Sequence, residues 1–331
     1  MPSPATAAVV GATGYAGQEL VRLLARHPGV RLTAAMASGA SEAPRRLPRL
    51  ARTWPGEVEP FALEAVAGRV DAAFLALPEA ASAQVAPALA ASGVRVFDLS
   101  GAFRLRAASA RGRWYPDSPA AWPEGTVYGL AEWCRAELPA ARLVACPGCY
   151  PTVSLLALRP LAEAGLVAGE VVIDAKSGIS GAGKAPSERT HFSETHGSVA
   201  AYGVFAHRHA PEIEQDLGQR VTFVPHLVPL DRGILATIYT RVPPGTGAET
   251  VAAAYARAYD RAPFVRITGS DLPEIKHVAH TNFCDIGWRL EPDGERLVVV
   301  AAIDNLLKGA AGQAVQDFNL AFGREETEGL T

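Results

Sequence analysis

The segment from residue 6 to residue 26 constrains the fold of this chain more than any other. An apolar stretch, Thr6–Val10, runs into Gly11-Ala12-Thr13-Gly14-Tyr15-Ala16-Gly17. A helical pattern over Gln18–Arg26 follows, with Leu20, Val21, Leu23 and Leu24 on one face, and it stops at Pro28-Gly29. Strand, glycine turn and helix in that order are the context of a dinucleotide-binding turn. Gly11 permits the tight turn, Gly14 lets the backbone approach a pyrophosphate, and Gly17 allows the helix to pack closely on the sheet. The spacing is G-x-x-G-x-x-G rather than G-x-G-x-x-G, and a purely structural turn would use the same residues.

Alternation of strand and helix continues through the first hundred residues. Arg31–Ala37, Val70–Leu77 and Val94–Leu99 read as strands and Ala80–Ala91 as a helix, which predicts an α/β fold with a parallel, doubly wound sheet. Ligands of such sheets sit at the carboxyl ends of strands, so Pro78-Glu79 and Asp98-Leu99-Ser100 are expected to face a cofactor. The second strand ends in Ala37-Ser38-Gly39-Ala40-Ser41, with no carboxylate before Glu42 and with Arg45-Arg46 beyond. An acidic residue there would hold a ribose 2′-hydroxyl; hydroxyls and arginines suit a 2′-phosphate. Ser38 and Arg45 therefore predict NADP(H) over NAD(H).

Residues 101–141 show little periodicity and read as an excursion before a strand at Arg142–Ala145. The pattern then changes. Val171–Ala175, Val221–Val224, Ile234–Arg241 and Leu297–Ala302 are strand-like, Glu291-Pro292-Asp293-Gly294 is a hairpin-style turn, and Glu249–Tyr259 is the clearest helix. This half is expected to be α+β with a mixed, largely antiparallel sheet. The last helix, Ala310–Phe322, has Val315, Phe318, Leu320 and Phe322 to bury and could return to either half.

A chain of 331 residues admits two domains. A net charge of -3 gives no reason to expect nucleic acid or a membrane surface as partner. No apolar stretch approaches the ~20 residues of a membrane span, and no signal-like segment opens the chain, so a cytoplasmic location is expected. Cys134, Cys146, Cys149 and Cys284 are too scattered for a disulfide scaffold. Cys146 and Cys149 form a C-x-x-C, but no second ligand pair completes a zinc site, and no metal is expected. A redox dithiol stays open; Cys146 reads better as a small buried hydrophobe.

Cys149 precedes an apolar run, Val153–Leu158, that predicts a helix ending near Gly165. The positive end of a helix favours thiolate, the nucleophile of acyl and aldehyde chemistry. Its proton partner is sought in His207-Arg208-His209-Ala210-Pro211-Glu212-Ile213. Pro211 suits a first helical position, which places His209 just outside a helix N-terminus, where a positive imidazole is disfavoured. His209 is preferred as acid/base with His207 in reserve, although both would also serve as structural hydrogen-bonding groups. His226 and His196 are weaker candidates, and His27 reads as a surface helix end. Lys176–Lys184 is a second glycine-rich loop, either an anion cradle or a flexible connection. Arg104 and Arg232 are candidate clamps for carboxylate or phosphate, or else ordinary ion pairs.

Taken together, Pro147–Thr152, Lys176–Gly183, Ala201–Val204, His207–Ile213, Val224–Gly233 and Asp304–Ala314 resemble the N-acetyl-gamma-glutamyl-phosphate reductase family of arginine biosynthesis, over nearly the whole chain. The resemblance implies an NADP-binding Rossmann domain at 1–148, completed by a C-terminal helix at 306–331, and a catalytic and dimerisation domain at 149–305, as in aspartate-semialdehyde dehydrogenase. It implies Cys149 as nucleophile and His209 or His207 as acid/base. It places Gly11, Thr13, Gly14, Tyr15, Ala16, Gly17, Ser38, Arg45, Pro78, Ser180, Gly181 and Asn305 at the cofactor and Arg104, Ser177 and Arg232 at the substrate. The implied reaction is NADPH-dependent reduction of the acyl phosphate, a small molecule, to N-acetylglutamate 5-semialdehyde through a thioester, in a homo-oligomer (dimer or tetramer). The same chemistry on aspartyl or aminoadipyl phosphate is an alternative, as is a redox-sensing NADP-binding protein without turnover. Ala102 departs from the family's Asp-Leu-Ser-Ala-Asp-Phe-Arg, and Val153 from its usual small residue.

Overall fold

The computed structural model describes residues 3–39, 43–118, 122–292 and 294–331. Ala40, Ser41 and Glu42 after the second strand, and Asp293 of the Glu291–Gly294 turn, lie outside them. The chain divides into two compact units, Met1–Pro147 with Ala310–Thr331, and Gly148–Gly309.

The first unit is built on six strands: β1 (Ala5–Val10), β2 (Val30–Met36), β3 (Ala72–Leu75), β4 (Arg95–Asp98), β5 (Thr126–Tyr128) and β6 (Leu143–Ala145). They form one sheet in the order β2-β1-β3-β4-β6-β5, every pairing parallel. Strands buried on both faces need apolar residues at every position, and Ala72–Leu75 is wholly buried. The pleat divides the side chains between two layers. Val10, Ala73, Leu75 and Val96 meet Ala86 and Leu89 of α2 (Glu79–Ala91). On the other face the rings of Phe74 and Phe97 stack at 5.0 Å, and Phe318 of the C-terminal helix, Gly312–Ala321, packs on both. Leu20, Val21, Leu23 and Leu24 of α1 (Tyr15–Leu24) are buried.

Two expectations need correction here. The stretch 101–141 is not irregular throughout: it contains α3 (Ala108–Trp114), β5 and α4 (Ala131–Cys134). β5 has three residues and lies at the sheet edge, too short for a period to be read. His27 is no surface helix end but is 3 % exposed, bonded through Nε2 to Asn319 Oδ1 at 2.9 Å. Burial lowers its pKa.

The second unit holds β7 (Ala168–Gly178), β8 (Ala200–Ala201), β9 (Thr222–Val228), β10 (Ile234–Arg241), β11 (Val265–Gly269), β12 (Cys284–Leu290) and β13 (Arg296–Ile303). The sheet order is β11-β12-β13-β10-β7-β9-β8, with β11/β12 and β7/β9 parallel and the other pairs antiparallel. Ile173, Ala175, Ala236, Ile238 and Val299 form the buried face. Val172, Asp174, Thr237 and Val298 point the other way and are half-buried, with Tyr239 exposed. The central helix α5 (Cys149–Glu163) is apolar almost all round and correspondingly buried from Tyr150 to Leu158. Pro160 removes the N–H that would bond Leu156 O, and the Tyr259 hydroxyl of α8 (Ala248–Tyr259) donates to that carbonyl instead. Tyr255 donates to Ala157 O at 2.7 Å. Short helices α6 (Phe192–Thr195) and α9 (Ile275–Val278) and the longer α7 (His209–Leu217) complete the unit. No helix among the described residues is long and apolar enough to cross a membrane.

Candidate active site

α5 begins at Cys149, with Gly148 as its N-cap, rather than at the apolar run that follows. The signal was present: Pro151 falls in the first turn, where its missing N–H costs no helical bond. Cys149 is half-buried, while every residue from Tyr150 to Leu158 is buried, so the thiol sits at the accessible N-terminal end of a core helix. Cys146 of the first unit is fully buried, and burial, reinforced by Asp317, pushes its thiol pKa well up. That chemistry is inert.

α7 starts at His209, two residues earlier than Pro211 suggests, and Pro211 occupies the third helical position. The cap is the ring of His207, whose Nδ1 accepts the His209 N–H at 3.1 Å. An accepting Nδ1 must be unprotonated. Burial, with the charge of Arg208 behind it, depresses the His207 pKa to about 4. The two imidazoles lie 4.7 Å apart between ring centroids, and Tyr150 packs edge-on against both. A Cβ built on Gly148 would stand 2.5 Å from His209 Nε2, so only glycine admits the imidazole at the residue preceding Cys149. One turn along α7, the buried Glu212 accepts the Gly148 N–H through Oε1 at 2.8 Å.

Two phenols complete this cluster. Tyr202 donates to the Tyr150 hydroxyl at 3.3 Å, and Tyr150 donates to His226 O at 3.1 Å. Burial raises both pKa values, Tyr202 to about 12, so both remain neutral donors. Sequence reading gave no role to Glu212, Tyr150 or Tyr202. The spacing His209-x-x-Glu212 would have exposed the first, since residues three apart share a helix face once the helix start is known.

A second group gathers around the end of β7. Asn305 bridges Ser180 Oγ (2.9 Å) and the Gly233 N–H (2.8 Å), and a Cβ on Gly181 would lie 2.9 Å from Ser177 Oγ. Ser177, Ser180, Gly181 and Asn305 are thus neighbours. Arg232 is 5 % exposed and faces Asp304 Oδ2 at 3.3 Å, which makes it a buried ion-pair member. His226 Nδ1 lies 3.1 Å from Asp174 on the half-open sheet face, and His196 ends the short helix α6.

In the first unit, Gly11 adopts φ +86°, and its absent Cβ would meet Ala76 O at 2.2 Å. Gly17 would meet Gly11 O at 2.1 Å, so the turn closes on bare backbone. Thr13 and Gly14 lead into α1, which Tyr15 and Ala16 open; its N-cap Gly14 carries no side-chain cap and its first turn has no acidic residue. Such an N-terminus is a cradle for an anion. Ser38 follows β2, and Arg45 is pinned nearby by two backbone bonds to Val58, next to Glu59, which bridges to Met36. Pro78 is the N-cap of α2 and follows β3. Arg104 is buried and donates from Nε to Cys146 O (2.9 Å) and from Nη2 to Leu99 O (2.7 Å), tying together the chain beyond β4 and β6. Ala102 packs in the apolar cluster under α2. Among the described residues, no cluster of His, Cys, Asp and Glu could hold a metal.

Models of the semialdehyde dehydrogenase NAD binding domain and of its dimerisation domain match residues 6–141 and 149–305. The chain is 44% identical to an N-acetyl-gamma-glutamyl-phosphate reductase of Shouchella clausii over 97% of both chains. It is 46% identical to that of Desulforudis audaxviator over 97% of this chain and 96% of the relative. Among solved structures, aspartate semialdehyde dehydrogenase II from Vibrio cholerae superposes with a TM-score of 0.74 at 18% identity, covering 97% of this chain and 99% of that one. An aspartate semialdehyde dehydrogenase with NADP from Candida albicans gives 0.68 at 15% identity, covering 96% and 98%. With full-length relatives at this identity, the chain belongs to the N-acetyl-gamma-glutamyl-phosphate reductase family of semialdehyde dehydrogenases.

Proposed function

We propose that this protein reduces N-acetyl-γ-glutamyl phosphate to N-acetylglutamate 5-semialdehyde and phosphate, with NADPH, through a thioester on Cys149. The observation that carries the reading is local: an accessible thiol at the first position of α5, beside a glycine on which His209 Nε2 rests. The relatives' shared name supplies the substrate. The Gly11–Gly17 cradle fits a pyrophosphate, and Ser38 with Arg45 fits a 2′-phosphate.

His209 takes the proton of Cys149, and the thiolate attacks the acyl carbonyl. A C–S bond forms, the C–O bond to phosphate breaks, and a thioester remains. NADPH held at the Gly11–Gly17 turn would supply the hydride needed to reduce this carbon. His209 returns the proton to the resulting thiohemiacetal, and cleavage of the C–S bond releases the semialdehyde. His209 fits the shuttle better than His207, whose Nδ1 is occupied by the α7 cap and whose low pKa keeps it neutral. The first turn of α5 leaves the Cys149 and Tyr150 N–H groups outside its own ladder, and these would stabilise the oxyanion by a few kcal/mol. Ser177, Ser180, Gly181 and Asn305 form a polar group for cofactor or substrate. Arg104 and Arg232 act on the substrate's anions from frames already fixed by Cys146 O, Leu99 O and Asp304. Self-association through the second unit is supported by the dimerisation-domain match and the half-open sheet face carrying Tyr239.

Cys149→Ser tests the reading. Phosphate-dependent NADPH formation from the semialdehyde should fall by orders of magnitude while NADP(H) binding persists. Retained turnover in that variant would overturn the mechanism. Activity of the wild type with aspartate semialdehyde but not with the acetylated glutamate analogue would overturn the substrate.

A further inference from the structure

Directly after β13 the chain enters a π-helical turn, Leu307–Ala311, whose i→i−5 bond joins Gly309 N–H to Asp304 O at 2.9 Å. π-turns are rare and concentrate at functional sites. This one is anchored from its first residues. Asp304, fully buried, accepts the N–H groups of Leu306 (2.8 Å) and Leu307 (3.0 Å) on Oδ1 and that of His280 (2.7 Å) on Oδ2, where Arg232 also lies at 3.3 Å. The anchored turn delivers Gly309 to the nucleophile. A Cβ built there would stand 2.7 Å from Cys149 Cβ and 3.3 Å from both Cys149 Cα and Ile303 Cδ1. Neither cysteine atom belongs to a flexible side-chain end that could swing aside.

Gly309 is not among the positive-φ residues, so its backbone does not demand glycine. Alanine is the better helix former, and at such a position it would ordinarily stabilise. The close approach to Cys149 is therefore the reason for the missing side chain. We propose that Gly309 is a positioning residue: its bare Cα is the wall against which Cys149 seats, held there by the Asp304–Arg232 frame. This rests on Cys149 being the nucleophile. It also gives Arg232 a second task, fixing the turn behind the thiol.

The test is Gly309→Ala, with Gly112→Ala as control, since a Cβ at Gly112 meets nothing within 4 Å. Nonbonded carbons settle about 3.5–4.0 Å apart, so the new methyl must displace Cys149 by about 1 Å, a misplacement that can cost on the order of 100-fold in kcat. KM should stay near wild type. The pH profile of Cys149 alkylation by iodoacetamide, read by mass spectrometry, should change in Gly309→Ala and not in Gly112→Ala. A wild-type kcat and a wild-type alkylation profile in Gly309→Ala would overturn the proposal. The alkylation arm needs no substrate, so it reads the seat of the thiol even if acyl-phosphate reduction proves absent. Should Gly309→Ala melt early, the loss is measured again in Cys149→Gly, where the opposing Cβ is gone. A smaller loss there supports the contact, and an equal loss overturns it.

Discussion

Removing the carboxylate of Glu212 tests the bond that ties the N-cap of α5 to α7. The side chain is fully buried, and Oε1 receives the Gly148 N–H at 2.8 Å. Glu212→Ala strands that N–H, a cost of about 1–3 kcal/mol. It also deletes one methylene from a packed position, about 0.8 kcal/mol. The sum is ~2–4 kcal/mol. Glu212→Gln keeps an acceptor oxygen and most of the packing, so its loss should be about 1 kcal/mol. Urea unfolding at pH 7 measures both. Activity supplies a second scale: with the Gly148 cap loose, Cys149 and His209 lose their common reference, and Glu212→Ala should lower kcat on the order of 10–100-fold. Equal urea midpoints for the Ala and Gln variants would refute the reasoning, because then the Gly148 bond contributes nothing.

Two further outcomes follow from buried polar groups. Tyr259→Phe leaves Leu156 O without the hydroxyl that replaces the Pro160 N–H and should cost about 1–3 kcal/mol; in a Pro160→Ala background, where an N–H is restored, a double-mutant cycle should show a smaller loss. His207 has a folded pKa near 4, below its usual 6.5, so the unfolded chain takes up its proton first. Stability should be full above pH 6.5 and fall as pH drops towards 4, by no more than about 2 kcal/mol after solvent screening, and a His207→Gln variant should show a flatter melting-temperature profile over that window.

The parts of this protein that sequence exposes are those whose determinants are local. The glycine turn is legible because Gly17 is forced by Gly11 O within one strand–turn–helix unit, whereas the contact that excludes a side chain at Gly11, Ala76 O beyond β3, is long-range. β10 reads at its true bounds, Ile234–Arg241, because one face is buried and the other half-exposed, giving a clean alternation. β5 is invisible because its partner, β6, decides it, and His27 is misread because the group that buries it, Asn319, is nearly three hundred residues away. The start of α7 is misplaced for a related reason. A proline marks the first turn but not which residue of it, and the His207 ring that caps the helix is not a standard capping side chain.

That misplacement matters, because the position of a helix start decides what its first residue can do. A side chain in mid-helix faces sideways into whatever the helix packs on; α5 buries every residue from Tyr150 to Leu158 in this way. A first residue has helical backbone beneath it and no preceding turn beside it, so it is held as firmly as the core yet remains open at one end. Cys149 and His209 both occupy that position, on α5 and α7. Ordering the same pair on a loop would cost about 1–2 kcal/mol of backbone entropy for each residue fixed. Two helix starts can approach closely only if the caps between them are small and tied, and Gly148 is both: it has no Cβ to strike His209, and its N–H is bonded to Glu212 of the histidine's own helix. His209 thus has, one turn along its own helix, the group that ties the N-cap of Cys149 to it. A mutation in α7 that leaves His209 untouched but rotates Glu212 out of reach should therefore cost activity as surely as one at the imidazole.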